Sequence, residues 1–244
     1  EAGRTIGKSR YDSLQLRVEK RMTAGWTMLF TGTWAFDRTF NTYLNSGMDA
    51  FGQFIERIGG SPPQNYQLTG SYTVPAFSGA SRWVRSLAGG WTIAATLSKQ
   101  SGGLLSVTGA RSTGIDPRID NPSEARMFNT CTFNANTGQL QNCVGNEPVA
   151  WIIDKPYTLL TQPQPEFNKW RGHSPPQMNL AVYKAFAFTE RVKLELRGEA
   201  FNATNTPQKV NPNLTATNSQ FGRIASISQN NDPRSVQVSA RVTF

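Results

Sequence analysis

The stretch Arg191-Val192-Lys193-Leu194-Glu195-Leu196-Arg197-Gly198-Glu199-Ala200-Phe201 admits two readings, and the choice between them sets the fold. Its Glu, Lys and Leu content suits a helix. The order of its residues does not. Val192, Leu194, Leu196, Gly198 and Ala200 recur at every second position, opposite Arg191, Lys193, Glu195, Arg197 and Glu199. A helix would scatter these residues around its axis and leave the five charges without a shared face. A strand sends them to opposite sides. The stretch therefore reads as a strand with one apolar and one charged face.

Six further segments repeat the pattern. Residues 12–20 alternate Leu14, Leu16 and Val18 with Gln15, Arg17 and Glu19. Residues 25–37 put Trp26, Met28, Phe30, Gly32, Trp34 and Phe36 on one face. In 65–74 the apolar set is Tyr66, Leu68, Gly70, Tyr72 and Val74, and in 91–100 it is Trp91, Ile93, Ala95 and Leu97. Residues 178–188 align Leu180, Val182, Phe186 and Phe188. Residues 235–244 set Val236, Val238, Ala240, Val242 and Phe244 opposite Gln237, Ser239, Arg241 and Thr243. Each is a strand expectation with one apolar and one polar side. The segments 103–108 and 221–228 are weaker strand candidates.

Composition agrees with an all-β chain. Of 244 residues, 17% are charged and 38% hydrophobic, with 21 Gly and 14 Pro, and the mean hydropathy is −0.44. Collagen, coiled coil and a mostly helical domain are excluded. No run of 18 apolar residues marks a transmembrane helix. No basic start followed by an apolar run marks a signal peptide, and the opening Glu1-Ala2-Gly3 suggests a fragment or a processed product. The net charge of +9 permits an anionic partner. The basic residues are dispersed, however, with no run of five like charges, so nucleic acid is not expected.

Catalytic signatures are lacking. There is one histidine, His173, and no GxSxG, HExxH or Walker loop. The carboxylates of 191–201 alternate with cations, unlike an acid/base pair with separated pKa values. We expect neither an enzyme nor a cofactor. Asp116, Asp120 and Glu124 lie in a turn-rich stretch, but without the oxygen spacing and glycine pivot of a calcium loop. Cys131 and Cys143 sit twelve residues apart without a CxxC partner, which argues against zinc. A pair closing a short loop is more naturally a disulfide, which implies an oxidising compartment; the alternative is two free thiols in a reduced protein.

The connections separate membrane from water. Short joins near 21–25 and 188–190 and an intermediate one at 75–89 alternate with long joins at 38–64, 101–176 and 202–234. A soluble sandwich has no need of this asymmetry. A transmembrane β-barrel has short periplasmic turns and long outer loops, and strands long enough to cross at a tilt. Trp26 and Trp34 would stand roughly 19 Å apart along the membrane normal. With Phe244 in the periplasm, Trp26, Trp91, Phe186, Phe188 and Phe244 fall at the periplasmic interface, and Trp34 and Tyr66 at the outer one, where aromatic residues are favoured. Arg17, Glu19, Arg191, Lys193, Glu195, Arg197, Glu199 and Arg241 would then line the lumen. The alternative is a secreted or surface β-sandwich that buries the same apolar residues and binds glycans through exposed Trp and Tyr.

Several stretches, in order, resemble the C-terminal barrel portion of TonB-dependent outer-membrane transporters, nearest the Oar-like branch. They are Tyr11-Asp12-Ser13-Leu14-Gln15-Leu16-Arg17-Val18-Glu19-Lys20-Arg21, Leu87-Ala88-Gly89-Gly90-Trp91-Thr92-Ile93 and Lys99-Gln100-Ser101-Gly102-Gly103. Further on come Met178-Asn179-Leu180-Ala181-Val182-Tyr183-Lys184-Ala185-Phe186, the run from Thr189 to Asn205, Phe221-Gly222-Arg223-Ile224 and the terminal Val242-Thr243-Phe244. The segment from Phe128 to Cys143 also looks like a paired-cysteine outer loop of this branch.

The resemblance implies an antiparallel up-and-down barrel segment of seven to eight strands within a barrel of about 22. It implies an open, curved sheet with unpaired edges at 12–20 and 235–244, or else a closed eight-stranded barrel. It places the chain in the bacterial outer membrane, as the wall of a conduit for energy-coupled passage of an unidentified bulky solute. The plug and the parts that engage the TonB complex would lie outside these residues. Val236, Val238, Ala240, Val242 and Phe244 resemble the terminal signal read by the barrel-assembly machinery. The long outer loops, above all 101–176 with both cysteines, Trp151 and Trp170, would be the ligand contacts.

Overall fold

The computed structural model describes residues 8–40, 56–58, 61–75, 77–79, 81–154, 170–225 and 229–244. In chain order the elements are β1 (Lys8–Thr23), β2 (Trp26–Phe40), β3 (Glu56–Ile58), β4 (Gln64–Thr73), α1 (Arg82–Ala88), β5 (Thr92–Gln100), β6 (Arg111–Ser112), β7 (Thr132–Asn134), β8 (Gln139–Gln141), β9 (Trp151–Ile153), β10 (Gln177–Ala187), β11 (Lys193–Phe201) and β12 (Ser235–Thr243). All seven expected strands are present, as β1, β2, β4, β5, β10, β11 and β12. They form one sheet in that order, with the short β3 added to the end of β2. Every neighbouring pair is antiparallel. The sheet does not close: among the described residues β1 and β12 are its two edges.

The registers merge the separate alternations into two continuous faces. One row runs Val18, Phe30, Leu68, Leu97, Met178, each paired with the next. Another runs Tyr72, Ile93, Val182, Gly198, Val238. The opposite face carries Arg17, Thr31, Gln67 and Ser98 in one row and Ser71, Ala94, Ala181, Glu199 and Gln237 in another. Hydroxyl pairs lace this polar face, Thr27 to Ser71 at 2.8 Å and Thr73 to Thr92 at 3.1 Å.

Turn chemistry fixes the register at the short-turn end. Ala24 (φ 51°) and Gly25 (φ 84°) form a two-residue hairpin with both central residues in the left-handed region, a conformation whose twist matches the strands. Gly25 also admits a close approach, since a Cβ there would lie 2.7 Å from the Thr73 carbonyl oxygen. In the turn after β10, the Thr189 hydroxyl accepts from the Val192 N–H at 2.9 Å.

Among the described residues no second layer covers the apolar face. Leu68, Ile93 and Val238 are 37%, 43% and 82% exposed, while the buried apolar residues are, apart from Ala35, all in the loops. The dry two-layered interior that a sandwich requires is not formed among the described residues. Two weaker strand expectations are corrected. Residues 103–108 supply only isolated bridges, Leu104 to Arg171 and Thr108 to Thr215, and Val107 packs against a loop core. Residues 221–225 are turn and irregular backbone with Phe221 buried in that core; 226–228 lie outside the described residues. Arg191 is also corrected: β11 begins at Lys193, so Arg191 sits in the turn and strand alternation does not set its direction.

The two faces should respond oppositely to charge. In detergent or lipid, Leu68→Arg is expected to lower unfolding stability by about 2–4 kcal/mol if Leu68 lies near the membrane midplane, while Gln67→Arg on the polar face costs less than about 1 kcal/mol. Equilibrium urea unfolding of the two variants checks this.

Candidate functional site

The sheet separates the chain's surface into an apolar wall, a charged wall and an assembly of loops. On the apolar face, Arg10, Asp12 and Arg38 lie in the long-loop halves of β1 and β2, and three lysines stand toward strand ends. Lys20 lies near the short-turn end of β1, Lys184 near that end of β10 and Lys99 beside the opposite end of β5. Long side chains so placed keep their apolar stems on the wall and their heads at its border. The Lys20 Nζ stands 3.6 Å from the centre of the Trp26 ring. The Lys184 ammonium donates to the Ser86 and Gly89 carbonyls, and lies 4.8 Å from the Phe186 ring.

The aromatic residues singled out from the sequence form two groups. Trp91 meets Phe186 edge to face at 6.4 Å beside the short turns. Trp34 meets Tyr66 edge to face at 5.3 Å toward the long loops. Their rings, with Phe30, close over Gly32, where a Cβ would stand 3.2 Å from both the Phe30 and Trp34 rings. Phe188 is exposed in the 188–192 turn, and Phe244 is 94% exposed beyond β12. Val236, Val238, Ala240 and Val242 share the apolar side of β12, paired with Ala200, Gly198, Leu196 and Leu194.

On the polar face, Arg17 donates to Glu19 at 2.9 Å. Across β11 and β12, Lys193 pairs in register with Thr243 and Glu195 with Arg241. Arg197 donates to Glu199 at 2.8 Å, and Glu199 also accepts from the Gln237 amide. Arg17, Glu19, Lys193, Glu195, Arg197, Glu199 and Arg241 thus share one face of the sheet, at its two edges.

At the long-loop end the connections fold together. The loop sheet runs β6, β9, β7, β8, with β7 parallel to β9. Phe128 is fully buried, with Trp170, Phe221 and Trp151 set edge-on at 4.5, 5.2 and 6.2 Å. The Trp151 indole N–H donates to the Asn129 carbonyl at 2.7 Å, which satisfies the polar edge of a buried ring. Cys131 and Cys143 form the disulfide that staples β7 to the end of the β8 segment.

Three connections are tied to one another. Thr108 N–H donates to Leu214, and Met127 N–H to Gly222. Lys209 pairs with Glu124 at 2.6 Å. Arg171 donates to the Gly102 and Ser61 carbonyls at 3.0 and 3.4 Å; burial lowers its pKa from the ordinary value, which leaves a guanidinium charged. Gly222 has φ 79°, and a Cβ there would come within 2.3 Å of Thr130 Cγ2.

Two of the three carboxylates weighed for calcium, Asp116 and Glu124, are spent on cations. Asp116 receives the Arg118 side chain and main-chain N–H, an arrangement that raises the Arg118 pKa, and Glu124 takes Lys209. Among the described residues no three His, Cys, Asp or Glu gather as metal ligands.

A profile of the outer membrane beta barrel domain matches residues 2–237. The chain belongs to that family. Its place is therefore the bacterial outer membrane. No curated protein and no solved structure matches the chain.

Sequence reasoning missed three features of this barrel domain. The first is α1, signalled only by Ser81 ahead of Arg82-Trp83-Val84-Arg85-Ser86-Leu87; the Ser81 hydroxyl caps the Val84 N–H. The second is Lys184, visible as the one break in an apolar row. The third is the end of β11. There Asn202 and Asn205 take positive φ, and Asn202 donates to Asp232 at 3.0 Å while accepting from the Thr206 N–H.

Two substitutions test the loop core. Cys131→Ser with Cys143→Ser should cost about 3 kcal/mol by releasing a twelve-residue loop. Gly222→Ala should cost about 2 kcal/mol or more through backbone strain and the Thr130 clash. Hydrogen exchange at the Cys131 and Trp151 amides should accelerate in both, with the strand amides of β4 and β5 unchanged.

Proposed function

We propose that this barrel domain is the C-terminal wall of a TonB-dependent transporter or receptor, of the Oar-like branch, forming part of a conduit for energy-coupled movement of a bulky solute. The observation that carries the reading is the ordered set of resembling stretches, from Tyr11–Arg21 to Val242-Thr243-Phe244, at matching spacing along almost the whole chain. Two of the stretches fall at structurally demanding places. The run from Thr189 to Asn205 spans a short turn, β11 and the Asn202 cap. Leu87–Ile93 spans the join between α1 and β5.

In this role the charged face made by Arg17, Glu19, Lys193, Glu195, Arg197, Glu199 and Arg241 lines the lumen, where water and a plug supply partners. The disulfide-stapled loop assembly holds the solute-contacting surface on the outer side, as binding residues tend to sit on loops over a rigid scaffold. The role is that of a conduit and not an enzyme, works without a cofactor, and has lipid, the TonB complex, the barrel-assembly machinery and an unidentified solute as partners.

The parent chain carrying these residues tests the reading. Reconstituted in vesicles, it should bind the purified periplasmic domain of TonB; no binding with or without growth-medium solutes overturns the transporter assignment. Phe244→Ala should lower the heat-modifiable, folded fraction in the outer membrane several-fold, as measured by gel mobility of unboiled samples. An unchanged fraction removes Phe244 from the assembly signal.

A further inference from the structure

The one helix of the described residues lies in the join between β4 and β5, at the short-turn end, and is held there by the apolar wall itself. Lys184, on the apolar face of β10, caps the Ser86 and Gly89 carbonyls at its C-terminus, where a cation is favoured. The Trp91 indole N–H, on the same face of the sheet, donates to the Leu87 carbonyl at 2.8 Å. The Lys184 side chain is buried by these contacts, at 7% exposure. The helix is thus fixed against the outer surface of the wall at its periplasmic border.

None of its residues is buried. Trp83 is 78% exposed, Leu87 62% and Val84 47%. At roughly 100° per residue, Trp83, Leu87, Val84 and Ala88 fill one arc of about 140°, while Arg82, Arg85 and Ser86 occupy the other side. That pattern, with cations on the polar side and Trp and Leu on the apolar side, is the pattern of a helix lying in a membrane interface. The Leu87 carbonyl is bonded to Trp91, whose ring meets Phe186 of the apolar wall, so the helix stands beside that wall. The nearby border adds Lys20 over Trp26, and the exposed Arg21 on the first hairpin.

We infer that α1 is an interfacial anchor, with Trp83, Val84 and Leu87 immersed in the periplasmic leaflet of the outer membrane and Arg82 and Arg85 binding the phosphates of its anionic phospholipid headgroups. The occupant of this face is the bilayer surface. Charge complementarity selects anionic lipid, and the Lys184 and Trp91 contacts set the helix at the height of the border aromatics. Arginine suits this position, because its planar fork matches phosphate oxygens and it is weakly hydrated. The inference rests on the lipid-facing reading of the apolar wall and is independent of which solute the protein handles.

Spin labels on the parent chain test it. The disulfide occupies both cysteines of these residues; with any cysteine elsewhere in the parent chain replaced by Ser, Leu87→Cys and, as a control on the wall, Leu68→Cys take the label alone. The protein is reconstituted in vesicles of phosphatidylcholine and of a three-to-one mixture with phosphatidylglycerol, and collisions with oxygen are compared with collisions with a water-soluble nickel chelate.

The label at Leu87→Cys should favour oxygen several-fold, at a depth of about 5–10 Å below the phosphates. It should move deeper when phosphatidylglycerol is added. Arg82→Glu with Arg85→Glu should abolish that response without altering the Leu68→Cys signal. A Leu87 label that meets the chelate freely while Leu68 remains in lipid overturns the anchor and leaves the wall intact. A Leu68 label in water overturns both. An immersed label indifferent to phosphatidylglycerol and to the arginine exchange overturns the headgroup assignment. A label shielded only in whole outer membranes, and wet in vesicles, assigns the face to a protein partner instead.

Discussion

Hydrocarbon offers no hydrogen-bond partner, so every peptide group that crosses it must be satisfied within the sheet, and every side chain facing outward must tolerate lipid. These two demands are coupled through register. In this chain Val18, Phe30, Leu68, Leu97 and Met178 line up across five strands only because each pairing is in step with the next. A slip of one residue at β11 would turn Lys193, Glu195, Arg197 and Glu199 into lipid and Leu194 and Leu196 into the lumen. The penalty for such a slip is several charges at once, and this steepness defines the register. The positive-φ hairpin at Ala24-Gly25 and the Thr189 turn then set it locally.

The same energetics explains where the exceptions lie. A cation on the lipid side costs about 2–4 kcal/mol at the midplane and about 0–1 near the interface. Lys20, Lys99 and Lys184 are all on the apolar face, and all stand toward strand ends. Lys20 rests on Trp26, Lys99 donates to the Ser174 carbonyl and Lys184 closes the end of α1. Each ammonium has local acceptors or a ring beside it. The two rows traced above, Val18 to Met178 and Tyr72 to Val238, carry no charged residue at any position.

How far the sequence reveals the fold follows from how local each constraint is. Period-two alternation is written within nine to sixteen consecutive residues, so all seven wall strands were legible, and their antiparallel order followed from the joins. The strand ends were less so: β1 extends four residues before residue 12 and three beyond residue 20, and Arg10 breaks the apolar pattern without breaking the ladder. The loop core was not legible. Phe128, Trp151, Trp170 and Phe221 converge from segments far apart in sequence, and no local period announces them. Val107 and Phe221 suggested strands for the same reason, because they are apolar for a core that lies elsewhere. The helix α1 has seven residues, too few turns for a periodic signal. The pairing of Cys131 with Cys143 was open in the sequence, since spacing permits a disulfide without requiring one.

A wall one layer thick cannot form a core of its own. Its apolar side chains share one face, and among the described residues no protein layer covers them. This is why the buried aromatic cluster of the molecule lies in the connections and not in the sheet. Those connections must hold a shape in water at the far end of the strands, without a second layer to rest on. Long loops with so many polar residues would otherwise lack the apolar burial needed to offset the entropy of ordering. The chain meets this with edge-on rings around Phe128, a disulfide across the β7–β8 hairpin, and the cross-links of Arg171, Lys209 and Thr108 that bind three loops together. The barrel wall and the loop assembly therefore solve opposite problems: one leaves its apolar face uncovered by protein, the other encloses its own aromatic residues. A substitution that loosens the second need not disturb the first, because among the described residues the buried cluster takes no side chain from the seven wall strands.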